Sequence, residues 1–167
     1  MKLRRARGVT LIEVLVAIAI AAVLAGFAVP SFVQSMARTR LEGTVSLLAT
    51  DLQYARSEAI RRGNKVADDS KVAARLALTG GGTGYTITVA SAADGATTPV
   101  KVVTLPTGVT LTSDGDVTFD GLRGTSNQRT FTATVSGVSG ALRVTTNALG
   151  RISTCSSSIA FVGHTPC

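Results

Sequence analysis

Gly8-Val9-Thr10-Leu11-Ile12-Glu13 is the stretch on which the reading of this chain turns. Ahead of it lie four cationic side chains, Lys2, Arg4, Arg5 and Arg7, and no acid. Behind it no charged residue occurs between Val14 and Ala37, a run longer than the ~20 apolar residues that cross a bilayer core. Glu13 therefore stands at the head of a membrane-length apolar span. A carboxylate at the centre of such a span costs ~2.5–3.5 kcal/mol. One turn from the end it escapes part of that cost and still calls for a cation. The basic leader sets the direction of insertion, with residues 1–8 cytoplasmic and those from about Thr39 onward on the far side.

Toward the C-terminus the span carries Pro30, which bends a helix rather than continuing it straight. Residues 37–62 then read as an amphipathic helix. Leu41, Val45, Leu48, Leu52, Ala55 and Ala59 recur at steps of four and three, one continuous face. Arg38, Glu42, Gln53, Arg56 and Arg62 lie off that face, and Glu58 and Arg62 are spaced to pair. Gly63-Asn64 supplies the stop. With no other breaker before it, the pattern predicts one helix from Val9 to Arg62, ~54 residues and about 80 Å long.

From Lys65 the texture changes to Thr, Val, Gly and Ser in short alternating runs. Strands are expected at residues 85–89, 100–105, 109–111, 117–119, 130–135 and 141–145. Turn signals separate them: Gly80-Gly81-Gly82, Asp94-Gly95, Pro106-Thr107-Gly108, Asp114-Gly115-Asp116 and Ser136-Gly137. That is an antiparallel β domain. The tail after Gly150 shows no clear period.

Composition narrows the function. The net charge of +7 invites a nucleic-acid reading, but without the leader 13 cationic side chains face 10 anionic ones. One imbalance survives: no acid follows Asp120, while Arg123, Arg129, Arg143 and Arg151 do. The two cysteines, Cys155 and Cys167, are even in number and fall on the far side of the membrane, which favours a disulfide closing a small C-terminal loop. His164 with Cys167 supplies too few ligands for zinc, and no metal or cofactor is expected. Gly80-Gly81-Gly82-Thr83-Gly84 lacks the Gly-Lys-Ser/Thr of a phosphate loop and reads as a flexible hairpin turn. His164 is the only histidine and has no nucleophile at motif spacing. No catalytic constellation is found, and an enzyme is not expected.

The stretch from Gly8 to Glu13 resembles the type IV prepilin signature: a Gly before the cut, apolar residues, then Glu at the fifth mature position. Pro30 falls at mature position 22, where many pilins carry a bending Pro. The usual first mature residue is Phe; here it is Val9. The resemblance implies cleavage between Gly8 and Val9 by a prepilin peptidase, N-methylation of Val9, and pairing of Glu13 with the new α-amine of a neighbouring subunit, which sets the register of assembly. A removed secretory signal also begins basic and apolar, with Ala-x-Ala-like sites around Ala25-Gly26-Phe27-Ala28. It would not place Glu13 at the head of its core or run on into an amphipathic helix. A plain signal anchor is the other alternative.

The segment from Asp51 to Gly63 resembles the helix end of the GspH/FimT family of minor pilins and pseudopilins. Val117-Thr118-Phe119-Asp120-Gly121 and Leu142-Arg143-Val144 with Gly150-Arg151-Ile152 are looser echoes. Cys155 just after the Gly-Arg element is closer to the pilus proteins FimT and FimU than to the secretion protein GspH. Some FimT proteins take part in DNA uptake through Gly-Arg-x-Arg; here the second Arg is replaced by Ser153. DNA binding needs several cations at phosphate spacing, and the candidates are Arg143 and Arg151 with Arg123 and Arg129.

The expected architecture is α+β, a type IV pilin fold in which a long N-terminal helix packs on an antiparallel sheet. Residues 1–8 form a leader, 9–36 the transmembrane and assembly half of the helix, and 37–167 a periplasmic globular domain. The expected function is a minor subunit of a type IV pilus, held in the inner membrane and acting in initiation or at the tip. Its expected partners are other pilin and minor pilin subunits, the prepilin peptidase and the inner membrane. The alternatives are a type II secretion pseudopilin and a DNA-binding minor pilin for transformation.

Overall fold

Thr10 starts the helix. In the computed structural model the backbone N–H of Glu13 donates to Thr10 Oγ1 at 3.3 Å and to the Thr10 carbonyl at 3.1 Å. Thr followed three residues later by Glu is the spacing of a capping box, and α1 runs from Leu11 to Gly63. The structure describes residues 9–63, 73–90, 96–157, 161 and 163–167. The leader with Gly8, Asn64 of the helix stop and the Asp94-Gly95 turn signal lie outside the described residues.

The chain divides into two units, Met1–Met36 and Ala37–Cys167. In the first, α1 presents Leu15, Ile18, Ile20, Val23 and Leu24 exposed, and by length and composition it suffices to cross a membrane. Pro30 lies within α1. In the second unit, Leu41, Val45, Leu48, Leu52, Ala55 and Ala59 of α1 are buried, the face that the steps of four and three predict. The main hydrophobic core lies within residues 37–167, so this unit carries its own core.

Eight strands follow: β1 (Ala74–Thr79), β2 (Gly84–Ala90), β3 (Thr97–Thr104), β4 (Val109–Ser113), β5 (Val117–Phe119), β6 (Arg129–Val135), β7 (Leu142–Thr146) and β8 (Ile152–Ser156). They form two antiparallel four-stranded sheets rather than one, in the orders β3-β2-β1-β5 and β4-β6-β7-β8. Every expected strand is present. β1 and β8 are additional. Ala-Arg-Leu-Ala-Leu-Thr is rich in helix formers and becomes a central strand because Leu76 fits opposite Ile87 and Val117 in the core. β8 turns Ile152, Thr154 and Ser156 to the same side, a face too polar to stand out as a period-2 signal. Gly80-Gly81-Gly82 makes the expected β1–β2 hairpin turn, as a 3-10 turn with all three residues at positive φ. A Cβ on Gly82 would lie 2.1 Å from the Leu111 carbonyl oxygen, so only glycine fits.

A buried charge ties α1 to the first sheet. The Tyr85 hydroxyl donates to Asp51 Oδ2 at 2.7 Å, and Lys101 Nζ donates to Oδ1 at 2.6 Å. Burial, and then the Asp51 carboxylate, hold the Tyr85 phenol far above its ordinary pKa. Lys101 sits on the edge strand β3, opposite Ile87 and so on the inner side. The same strand carries Pro99 opposite Thr88, and its register with β2 shifts between Ile87 and Thr88. Near the end of α1, Glu58 accepts from Arg61 at 2.8 Å and from Arg62 at 3.1 Å. The Arg61 guanidinium foremost, then Arg62, hold the Glu58 carboxyl below its usual range. Its contribution to stability is therefore complete above the unfolded pKa and is lost as pH falls through the lower folded one.

Cys155 and Cys167 are joined, with Cα atoms 4.9 Å apart and a sequence separation of 12. The returning tail pairs in parallel with the end of β8: Ser156 N–H donates to the Thr165 carbonyl and Cys167 N–H to the Ser156 carbonyl. The crosslink closes a short loop. Cys155→Ser with Cys167→Ser is expected to cost ~2–4 kcal/mol, read as a lower urea midpoint for residues 37–167. An unchanged midpoint would show that the tail's hydrogen bonds suffice.

Candidate functional site

Two regions carry the candidate residues. The first is the head of α1. Glu13 lies in the first helical turn, where the positive end of the helix dipole favours a carboxylate. Val9 precedes it by four residues and is exposed. Gly8 lies outside the described residues.

The second region is the end of α1, where the echoes of the pilin-like motifs converge. Arg56 Nε donates to the Gly124 carbonyl at 2.9 Å, and its Nη2 donates to the Leu149 carbonyl at 3.3 Å. One helix side chain thus clips two loops that lie 68 and 93 residues away in sequence. Glycine makes the approach possible. A Cβ on Gly63 would lie 2.0 Å from the Gly121 carbonyl oxygen. Gly150, at φ +72°, brings its α-carbon so near Gly124 that a Cβ would lie 2.1 Å from the Gly124 carbonyl oxygen.

The two loops are built alike. In the first, Asp120 carboxylate oxygens accept from the N–H groups of Leu122 and Arg123 at 3.4 and 3.1 Å. In the second, Asn147 Oδ1 accepts from the N–H groups of Leu149 and Arg151 at 3.1 and 2.9 Å. Each is an Asx-type turn that closes its loop without a partner strand. Ser126 links them, its N–H donating to the Ala148 carbonyl and its hydroxyl to the Asn147 carbonyl.

The four candidate arginines do not form one patch. Arg123 and Arg151 are exposed on the two clipped loops, which Arg56 and the Gly124–Gly150 approach bring together. Arg143 is exposed on β7 opposite Cys155, and the Asn147–Arg151 backbone bond continues that register. Arg143 and Arg151 therefore share the outer side, four residues apart along the strand direction, ~13 Å. Arg129 pairs with the buried Thr146, on the inner side, and its Nε donates to the Asp116 carbonyl at 3.4 Å. It belongs with Arg75, whose guanidinium pairs with the Asp116 carboxylate.

Sequence spacing places Arg56 off the apolar face but gives no sign of its reach, because both its partners are backbone carbonyls on distant loops. Nor does it reveal Asp51, a charged residue beside the apolar face whose burial depends on Tyr85 and Lys101. Among the described residues, no group of three or more His, Cys, Asp or Glu side chains could hold a metal ion.

The sequence matches the family described as "Type II transport protein GspH" over residues 44–150. It matches the "Prokaryotic N-terminal methylation motif" over residues 3–29. The structure is similar to the type IV minor pilin FimU of Pseudomonas aeruginosa, with TM-score 0.53 and 27% identity over 73% of this chain and 98% of that one. It is also similar to the minor pseudopilin EpsH from the Type 2 Secretion System of Vibrio cholerae, with TM-score 0.56 and 15% identity over 71% of this chain and 98% of that one. At that identity the second likeness is one of fold. No curated protein matches the chain.

Proposed function

The chain belongs to the GspH family and is a minor pilin or pseudopilin, and from that premise we propose that it is a type IV pilus subunit acting in initiation or at the tip of the fibre. Pilins and pseudopilins are structural subunits rather than enzymes, and membership implies assembly with others of the kind. The methylation motif and the apolar helix make it a membrane-anchored pilin. The choice of pilus over secretion system is supported by the 27% identity with FimU and by Cys155 following Gly150-Arg151. In this reading the leader stays cytoplasmic, residues 37–167 are periplasmic, and the prepilin peptidase cuts before Val9 and methylates it.

The observation that carries the proposal is Glu13 in the first turn of an otherwise uncharged, membrane-length helix segment. A carboxylate there is costly until a cation reaches it, and the α-amine freed at Val9 of an adjoining subunit is such a cation. Glu13→Ala is expected to be processed normally yet to be absent from sheared fibres, with the protein retained in the membrane fraction. Wild-type incorporation of Glu13→Ala would remove the register role.

A second reading, duplex DNA binding, is favoured by one observation: Arg123 and Arg151 share the clasp, with Arg143 on the same side of β7 and β8 as Arg151. Arg129 is withdrawn from that set by its inner register. A gel shift with the full chain in detergent, in rising salt, tests it. Binding that is absent, or unchanged in Arg143→Ala/Arg151→Ala, would rule it out.

A further inference from the structure

The two clipped loops display more than charge. Leu149 is 73% exposed, Leu122 56% and Ile60 46%. Leu122 and Leu149 each stand two residues after the Asx-turn residue that closes their loop, and each is accompanied by an exposed arginine, Arg123 or Arg151. A Cβ on Gly124 would lie 2.7 Å from Ile60 Cδ1, so Ile60 rests against the first loop. Three exposed apolar side chains thus lie on the two loops and the helix end that Arg56 joins. The arrangement is held by backbone bonds and glycine contacts, and little conformational freedom remains to be lost when a partner arrives.

Charge is lopsided here. Arg56, Arg123 and Arg151 face one acid, Asp120, whose carboxylate already accepts from two N–H groups of its own loop. Among the described residues, neither the Arg123 nor the Arg151 side chain is held in an ion pair. Phosphate backbones are contacted by cations and hydrogen-bond donors and make no use of exposed leucines. Exposed leucines each beside an arginine instead match the make-up of a protein interface, where apolar contact and arginine are combined.

From this we infer that the paired loop tips, Leu122-Arg123 and Leu149-Gly150-Arg151, are a docking surface for a neighbouring pilin or pseudopilin subunit. The complementary surface on that subunit is an apolar patch rimmed by Asp or Glu. The inference rests on the assembly role proposed above and adds the partner's chemistry and the place on this chain where it binds.

The test uses the full chain in the bacterium that produces it. A photo-crosslinking phenylalanine analogue replaces Leu122 or Leu149, and Thr132, on the outer side of the second sheet, serves as control. Adducts with a pilin-family subunit are expected from the two loop positions and not from Thr132, and their peptide maps should fall in segments containing acids. Adducts with lipid or nucleic acid, or no pilin adduct, would overturn the inference. In parallel, Leu122→Asp with Leu149→Asp is expected to lower incorporation into fibres at least about tenfold, the loss of one strong interface contact. Cleavage at Val9 and the Cys155–Cys167 crosslink should remain intact. If that pair fails to fold, Arg123→Glu with Arg151→Glu, both exposed, decides the matter, and undiminished incorporation would again overturn it. Loss of Glu13 dependence would instead strike the assembly reading, so the two failures are separable.

Discussion

Asp51→Ala is expected to destabilise residues 37–167 by ~3–5 kcal/mol, the cost of breaking a buried ion pair from one side. Asp51 is 2% exposed, and its carboxylate holds both Lys101 and Tyr85. Its removal leaves the Tyr85 hydroxyl, on a residue with no exposed surface, without an acceptor, which alone costs ~1–3 kcal/mol. Lys101 is 38% exposed and can turn to water, so the total should fall toward the lower end. Asp51→Asn keeps an acceptor for Tyr85 and should lose less. Asp51→Leu with Lys101→Met removes both charges and should recover part of the loss, as paired replacement of buried ions commonly does. Urea unfolding followed by circular dichroism measures all three. A loss under about 1 kcal/mol for Asp51→Ala would mean that water reaches the site and supports both partners.

Gly8→Ala should abolish processing. On the proposed reading a prepilin peptidase must place the Gly8–Val9 bond in its site, and a residue with no side chain before the bond is the feature shared with the prepilin pattern. The expected product is a precursor that retains residues 1–8 on intact-mass measurement. On the proposed reading the consequence is electrostatic: without the cut there is no α-amine at Val9, the four leader cations stay with the chain, and Glu13 of an adjoining subunit has no counter-charge at its own depth. Such a precursor should stay in the membrane and never appear in fibres. A mature-length Gly8→Ala protein would contradict the prepilin reading at its root.

Local pattern made the helix legible. Leu41 to Ala59 form a period-3.6 face, and all six of its residues are buried. Central strands such as Tyr85–Val89 and Thr130–Val135 announced themselves by alternation, since one face meets the core and the other water. β8 did not, because its inner residues Thr154 and Ser156 are polar and find their place only through β7 and the returning tail. The division into two sheets was equally hidden, as strand order depends on pairings across long loops such as β1 with β5. At the candidate site, the residues proposed to act near the N-terminus stand together in one contiguous stretch of sequence, Gly8 to Glu13. The clasp could not be read: the Arg56 guanidinium binds backbone carbonyls, Gly124 and Gly150 meet as backbone, and neither carbonyl acceptors nor close α-carbon approaches leave a periodic trace.

The edge strand β3 bears on how the protein survives at high density. An eight-residue strand at the rim of a sheet is a template on which a second copy can add a strand, and so the start of a β-aggregate. Here Pro99 removes one donor, the register shift beside it breaks the regular ladder, and Lys101 draws a charge to the inner side against Asp51. A foreign strand would meet an interrupted row of hydrogen-bonding groups with a lysine set into it. The contact that fastens α1 to the sheet thus also discourages crowded subunits from joining edge to edge, and leaves other surfaces to carry their association.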